Sequence, residues 1–170
     1  MTMQKTLRIA GVVDDSVVDG DGIRYTIFVQ GCPRRCHNCQ NPETQPLAGG
    51  REESLAHFLE EIRKNPLLTG VTFSGGEPFL QPAPLAALAR LVHEHHLDVW
   101  CYSGYTLEEL QARHDAATND LLANIDVLVD GEYREEERDL TLHFRGSRNQ
   151  RVIDMNATRQ KGQIILLYED

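Results

Sequence analysis

A chain of 170 residues is the length of a single domain and long enough to bury one sizeable core. Hydrophobic residues at 41% and charged residues at 25% exclude a disordered or fibrous chain. The 17 Lys and Arg against 26 Asp and Glu leave a formal charge of −9, which disfavours nucleic acid phosphates and anionic lipid as partners.

Tyr25 to Val29, rich in β-branched and aromatic residues and running into Gly31, predicts a buried strand that delivers the chain to a cysteine loop. Pro, Gly and charge from Glu43 to Glu53 predict a loop, after which Leu55, Phe58, Leu59 and Ile62 recur at helical spacing up to Pro66. Val71 to Ser74 predicts a second strand closing on Gly75 and Gly76. Leu85, Leu88, Leu91 and Val92 then mark a helix that starts after Pro84 and fades at His95. A third strand is expected at Val99 to Tyr102, and Thr106 with Glu109 three residues on is a capping box opening a helix of Leu107 and Leu110. Ile125 to Val129 is the fourth strand. Leu142 to Arg145, Arg151 to Ile153 and Ile164 to Tyr168 read as further short strands or extended tail.

This alternation predicts an α/β fold with a parallel sheet, right-handed crossovers and a ligand site at the carboxyl ends of the strands. Four units are too few to close an eight-strand barrel, so an open, incomplete (β/α) barrel is expected. No repeat or low-complexity stretch marks a second domain, so residues 1–170 read as one. No apolar run reaches the ~18 residues that span a bilayer. Ile9 to Val13 before Asp14 and Asp15 is too short a patch for a signal peptide, which points to the cytoplasm.

Without a secretion signal, a tight cysteine group reads as metal-binding or catalytic rather than as disulfides. Cys32, Cys36 and Cys39 follow a C-x3-C-x2-C spacing, which places three soft ligands on one loop after a strand and suits iron–sulfur or zinc. A four-iron cluster held by three thiolates keeps one iron open, a catalytic arrangement. The rivals are a structural zinc site completed by His37 or Cys101, and a ferredoxin-like cluster with Cys101 as fourth ligand. Zinc loops favour paired C-x2-C units, and Cys101 sits in the apolar stretch Val99 to Tyr102, where it reads as a small buried hydrophobe. Ser74-Gly75-Gly76-Glu77-Pro78 stands at the second strand's end, where two glycines admit a ligand close to the backbone and Glu77 accepts from an ammonium.

The loop from Gly31 to Pro42, preceded by Asp19-Gly20-Asp21-Gly22-Ile23-Arg24 and followed by Ser74-Gly75-Gly76-Glu77, resembles the radical S-adenosylmethionine enzymes, and within them the glycyl-radical activating enzymes. Trp100 to Thr106, Asp126 to Gly131 and Phe144 to Asp154 are similar to the small activases of anaerobic ribonucleoside-triphosphate reductase. The resemblance runs from about Asp19 to Asp154. It implies that Cys32, Cys36 and Cys39 bind a 4Fe–4S cluster, that S-adenosylmethionine chelates the open iron, and that Gly75, Gly76 and Glu77 hold the cofactor's amino end. Asn38 stands where many such enzymes carry an aromatic or apolar residue, so adenine contacts are implied for backbone groups of Asn38, Cys39 and Gln40. The implied reaction cleaves the cofactor reductively to a 5′-deoxyadenosyl radical, which abstracts hydrogen from a glycine of the large reductase subunit. The implied electron donor is of the flavodoxin kind, and no side-chain catalyst is implied beyond cluster and cofactor.

Other groups read as ordinary surface. His93, His95 and His96 suit a solvated helix end. Glu132 to Asp139 is an acidic solvated segment, and Arg145, Arg148 and Arg151 are explained equally well by salt bridges or by a bound carboxylate. Asp130, ending the fourth strand on the expected active face, is a weak candidate.

Overall fold

In the computed structural model, which describes residues 6–33 and 41–170, one eight-stranded mixed sheet carries the fold. Its strands are β1 (Thr6–Ser16), β2 (Arg24–Val29), β3 (Arg51–Ser54), β4 (Gly70–Gly75), β5 (Asp98–Tyr102), β6 (Val127–Asp130), β7 (Arg151–Asp154) and β8 (Leu166–Tyr168). The helices are α1 (Leu55–Arg63), α2 (Pro82–Glu94), α3 (Leu107–Gln111), α4 (Ala116–Ala123) and α5 (Met155–Lys161). The strand order is β3-β1-β2-β4-β5-β6-β7-β8. The four strands expected from the sequence form its parallel centre, β2-β4-β5-β6, and antiparallel strands extend both flanks. The sheet stays open rather than closing into a barrel, as four strand–helix units allow. No helix among the described residues is long and apolar enough to cross a membrane.

Several elements differ from expectation, each for a local reason. β1 was not anticipated because only Leu7 and Ile9 face the core, while Val12 and Val13 are exposed and two aspartates follow. β3, Arg-Glu-Glu-Ser, carries no apolar signal and is held by backbone pairing to β1. α4 and α5 are short and show no clear apolar stripe at helical spacing, but each opens on an aspartate cap: Asp115 accepts from Thr118 N and Asp154 from Ala157 N. α2 begins at Pro82, a residue suited to a first turn, rather than after Pro84. Leu142 to Arg145 is no strand, since Phe144 takes a left-handed φ of 58° that breaks an extended run. The capping box of α3 forms in full, Thr106 and Glu109 each serving the other's backbone N–H.

Strand alternation divides the interior into two layers. Tyr25, Ile27 and Val29 of β2, Val71 and Phe73 of β4, Cys101 of β5, Leu128 of β6 and Ile153 of β7 join the core cluster that includes the apolar faces of α1 and α2. The intervening residues Trp100, Val127, Val129 and Val152 form a second cluster on the opposite face, with Tyr102, Phe144 and Tyr168 against it. That face also carries buried Arg24, whose guanidinium stacks on Trp100, 5.4 Å from the ring centre. Its Nε donates to Thr72 Oγ1 at 2.7 Å and its Nη1 to Asp21 O at 2.8 Å, which ties the β1–β2 turn down.

Asp126 locks the base of the sheet to the helices. Its carboxylate accepts from Val99 N at 2.8 Å and Asn156 Nδ2 at 2.9 Å, and lies 2.8 Å from His93 Nε2. Burial pushes its carboxyl up, but the bonds from Asn156, His93 and Val99 outweigh burial and hold it below the usual range. A depressed folded value contributes stability that is fully present above the unfolded aspartate value of about 3.9 and is lost as pH falls through the folded one. Asp126→Asn is therefore expected to cost about 1–2 kcal/mol at neutral pH. Thermal melts should show its gap to wild type closing toward about pH 3; a gap independent of pH would contradict this account.

Candidate functional site

The site starts where β2 ends. Gly31 takes φ 105°, open to glycine, and the chain passes to Cys32. Gly31 N donates to Thr44 O at 2.6 Å and Cys32 N to Gln45 O at 2.9 Å, so the two flanks of the cysteine loop are bound together. The β4 turn lies directly against this exit. Gly76 N donates to Val29 O at 2.8 Å and Glu77 N to Gly31 O at 2.7 Å. A Cβ on Gly75 would stand 2.6 Å from Val29 N, and one on Gly76 would stand 2.3 Å from Gly31 O. The backbone of Phe28 to Gly31, at and just past the end of β2, thus lies where the two side chains would stand, and the turn fixes the start of the cysteine loop.

Glu77 is 1% exposed and its carboxylate meets three donors. Phe79 N reaches Oε2 at 3.0 Å, Ser103 Oγ donates to the same oxygen at 2.9 Å, and Gly104 N donates to Oε1 at 2.8 Å. Burial pushes the carboxyl up, and those bonds with the Arg113 charge pull it back only in part. Glu77 therefore joins the β4 turn to the turn after β5.

These turns open on a cavity of about 950 Å3, lined at one end by Cys32, Ser74, Gly75, Gly76, Ser103 and Gly104. Cys32, at the end of β2, supplies a soft donor there, which fits an iron–sulfur group; Cys36, Asn38, Cys39 and Gln40 lie outside the described residues. Cys101 points the other way, into the helix-side core, while its neighbour Tyr102 lines the cavity. Burial and the nearby Glu77 charge push the Cys101 thiol up from its usual value. The alternatives that use Cys101 as a ligand lose their geometric basis.

Asp130 is fully buried but committed elsewhere: its carboxylate accepts from Leu107 N at 2.8 Å and from Arg151 Nε at 3.0 Å. It anchors the start of α3 to β7, and Arg151 continues to Glu108. Of the three arginines, Arg145 lines the cavity. His93 bonds Asp126 and His95 caps α2. Reading the sequence missed Tyr102, Ser103 and Gly104 as cavity residues. Their signal was position, since they end β5 as Ser74 to Glu77 end β4, and adjacent parallel strands bring their carboxyl ends to one edge.

The family model described as "4Fe-4S single cluster domain" matches residues 18–153. The anaerobic ribonucleoside-triphosphate reductase-activating protein of Vibrio cholerae is 39% identical over 145 residues, 79% of this chain and 89% of that protein. The one from Pasteurella multocida is 37% identical over 143 residues with the same shares, 79% and 89%. The pyruvate formate-lyase-activating enzyme of Clostridium pasteurianum is 42% identical over 92 residues, 51% of this chain and 39% of that enzyme. The chain belongs to the 4Fe-4S single cluster domain family and to the anaerobic ribonucleoside-triphosphate reductase-activating proteins.

Proposed function

We propose that this activating enzyme generates the glycyl radical of anaerobic ribonucleoside-triphosphate reductase, with Cys32, Cys36 and Cys39 holding the cluster and Gly75, Gly76 and Glu77 beside S-adenosylmethionine. The observation that carries this reading is the shared cavity wall, in which the β4 turn is bonded to the strand that presents Cys32. A cluster held by Cys32, Cys36 and Cys39 would supply one-electron reduction of S-adenosylmethionine, with methionine as the other product and the electron coming from the external donor, as the source of the partner's glycyl radical.

The chain's own work is to bind, orient and shield. Glu77 keeps the β4 and β5 turns at a fixed separation, so a cofactor held by their backbone groups has one orientation. Backbone groups of Asn38, Cys39 and Gln40 take the adenine edge in this reading. Phe144 and Tyr102, packed against buried Trp100, line the cavity with an apolar wall that limits water, and the Tyr102 hydroxyl is held by Phe144 O at 2.8 Å. The cavity stands at the upper end of the ~300–1,000 Å3 usual for small-molecule sites, and the open sheet leaves a lateral mouth for a polypeptide loop. A donor of the flavodoxin kind delivers the electron, and the cytoplasm is the compartment.

The test is anaerobic reconstitution with iron and sulfide, then reductant, S-adenosylmethionine and the large reductase subunit, reading 5′-deoxyadenosine by chromatography and the glycyl radical by electron paramagnetic resonance. Wild type should give both. Cys36→Ser should abolish both, whereas Cys101→Ser should retain at least half of the wild-type product, because its thiol faces the helix-side core. A folded Cys101→Ser protein as inactive as Cys36→Ser would sink the ligand assignment. Radical formed on pyruvate formate-lyase but not on the reductase would move the partner to that enzyme.

A further inference from the structure

Behind the cavity, on the helix side of the sheet, one side chain touches both halves of the Glu77 network. Arg113 comes from the connection between α3 and α4 and does not line the cavity. Its Nη1 donates to Phe79 O at 2.8 Å and to Thr118 Oγ1 at 3.3 Å, and its guanidinium lies over the Tyr105 ring, 4.6 Å from the centre. Phe79 and Tyr105 are the outer members of that network. Phe79 N donates to Glu77 Oε2, and Tyr105 N donates at 3.1 Å to Ser103 Oγ, whose proton goes to the same Glu77 oxygen. The contacts close a ring that runs from Arg113 through Phe79, Glu77, Ser103 and Tyr105 back to Arg113.

Each link of the ring has a local cause. In the single turn Pro78–Leu80, Leu80 N takes Glu77 O and Gln81 N takes Pro78 O. The next donor along the chain would be residue 82, a proline without an N–H, so the Phe79 carbonyl is served by Arg113 instead. On the β5 side, the bond from Tyr105 N makes the Ser103 hydroxyl an acceptor and leaves its proton for Glu77. The guanidinium stacks on Tyr105 while its edge donates to Phe79 O, so one planar group holds both turns. Asp115 keeps it there, taking the Thr118 hydroxyl at 2.9 Å while Thr118 Oγ1 accepts from Arg113. Burial raises the Glu77 carboxyl, and the bonds from Phe79, Gly104 and Ser103 together with the Arg113 charge pull it down.

We propose that Arg113 is a positioning residue for S-adenosylmethionine: from behind the cavity wall it sets the separation of the Gly75-Gly76-Glu77 turn and the Ser103-Gly104 turn, and so the fit of the cofactor's amino end between them. Those turns hold that end in the reading above, on which this assignment rests. Arg113 does not touch the cofactor, so its effect passes through Glu77 and Ser103. The helix-side core does not depend on it, because Leu107, Leu110 and Leu121 carry the apolar packing of α3 and α4. What its removal loosens is the relation between two turns that both face the cavity. An ammonium replaces it only in part, since it supplies the charge and a donor but not the flat face that lies on Tyr105.

The test uses the intact protein reconstituted anaerobically with iron and sulfide. It reads iron content, the Kd for S-adenosylmethionine by calorimetry, and the electron paramagnetic resonance spectrum of the reduced cluster with and without that cofactor. Arg113→Met, which keeps an apolar stem, should load iron as wild type does and raise the Kd about tenfold. It should also alter the cofactor-bound spectrum while leaving the cofactor-free spectrum as in wild type. Arg113→Lys should bring the Kd back to within about threefold of wild type. Arg90→Met, which breaks the exposed pair with Asp120 between α2 and α4, is the control and should leave the Kd unchanged. Because the effect passes through Glu77, adding Arg113→Met to Glu77→Gln should raise the Kd much less than it does in wild type. An unchanged Kd in Arg113→Met overturns the assignment, and so does full additivity with Glu77→Gln. Lost iron with an unchanged Kd per loaded cluster overturns it in favour of a role in the fold alone. Wild type that loads iron yet neither binds S-adenosylmethionine nor changes its spectrum with it overturns the reading of the cofactor site, a failure visible without any variant.

Discussion

Glu77→Ala is expected to lower the melting temperature by roughly 6–12 °C and to strip most of the iron from the reconstituted protein. The side chain accepts from Phe79 N beside it and, across to the turn after β5, from Ser103 Oγ and Gly104 N. Removing it leaves two buried donors and one half-buried donor without their acceptor, the buried ones worth about 1–3 kcal/mol each, while relief of a buried carboxylate offsets part of that. A net loss of about 3 kcal/mol corresponds to the stated shift at about 2–4 °C per kcal/mol for a chain of this size. The pH dependence has a definite sign. Because burial raises the folded carboxyl above its ordinary value, its stabilising contribution is fully present below about 4.3 and is lost as pH rises through the folded value. The gap between wild type and Glu77→Ala should therefore be wider near pH 4 than near pH 8 in thermal melts. Glu77→Gln should recover part of the stability, since an amide oxygen can serve one side of the network while its NH2 opposes a donor on the other. A variant with full iron content and an unchanged melting temperature would show that the three bonds do not hold the turns.

Gly76→Ala is expected to cut iron loading to below a tenth of wild type. The added Cβ would stand 2.3 Å from Gly31 O and 2.8 Å from Gly31 C, and these are backbone atoms that no rotamer change can move aside. The chain must separate the β4 turn from the end of β2, breaking Glu77 N to Gly31 O and displacing Cys32 one residue on. Overpacking of this kind costs about 1–3 kcal/mol, so the protein should still fold while its thiol loop is misplaced. Gly11→Ala, where a Cβ meets nothing within 4 Å, is the matched control and should load iron normally. Equal iron in Gly76→Ala and wild type would mean that the turn does not position the cysteine loop.

The sequence by itself determined what depends on neighbours along the chain. Alternation and β-branched residues located β2, β4, β5 and β6, helical spacing located α1 and α2, and Thr106 with Glu109 located the start of α3. The cysteine spacing carried the chemical class, because ligand softness and order along one loop need no tertiary partner. β1 and β3 escaped because backbone pairing holds them where side chains give little signal.

Only the tertiary structure decided what the site residues touch. Gly75 and Gly76 read as space for a ligand, and the structure adds that a side chain on either would strike the backbone of Phe28, Val29 or Gly31. Glu77 read as a partner for an ammonium, and the structure adds three protein donors to its carboxylate, two of them from the turn after β5. Asp130 read as a residue of the active face and is bound by Leu107 and Arg151. Arg145 was one of three equivalent arginines until burial, Asp170 and an unsatisfied Nε set it apart. The physical reason is the same in each case: periodicity and spacing are local, whereas a buried polar group is defined by whichever distant donor or acceptor packing brings to it.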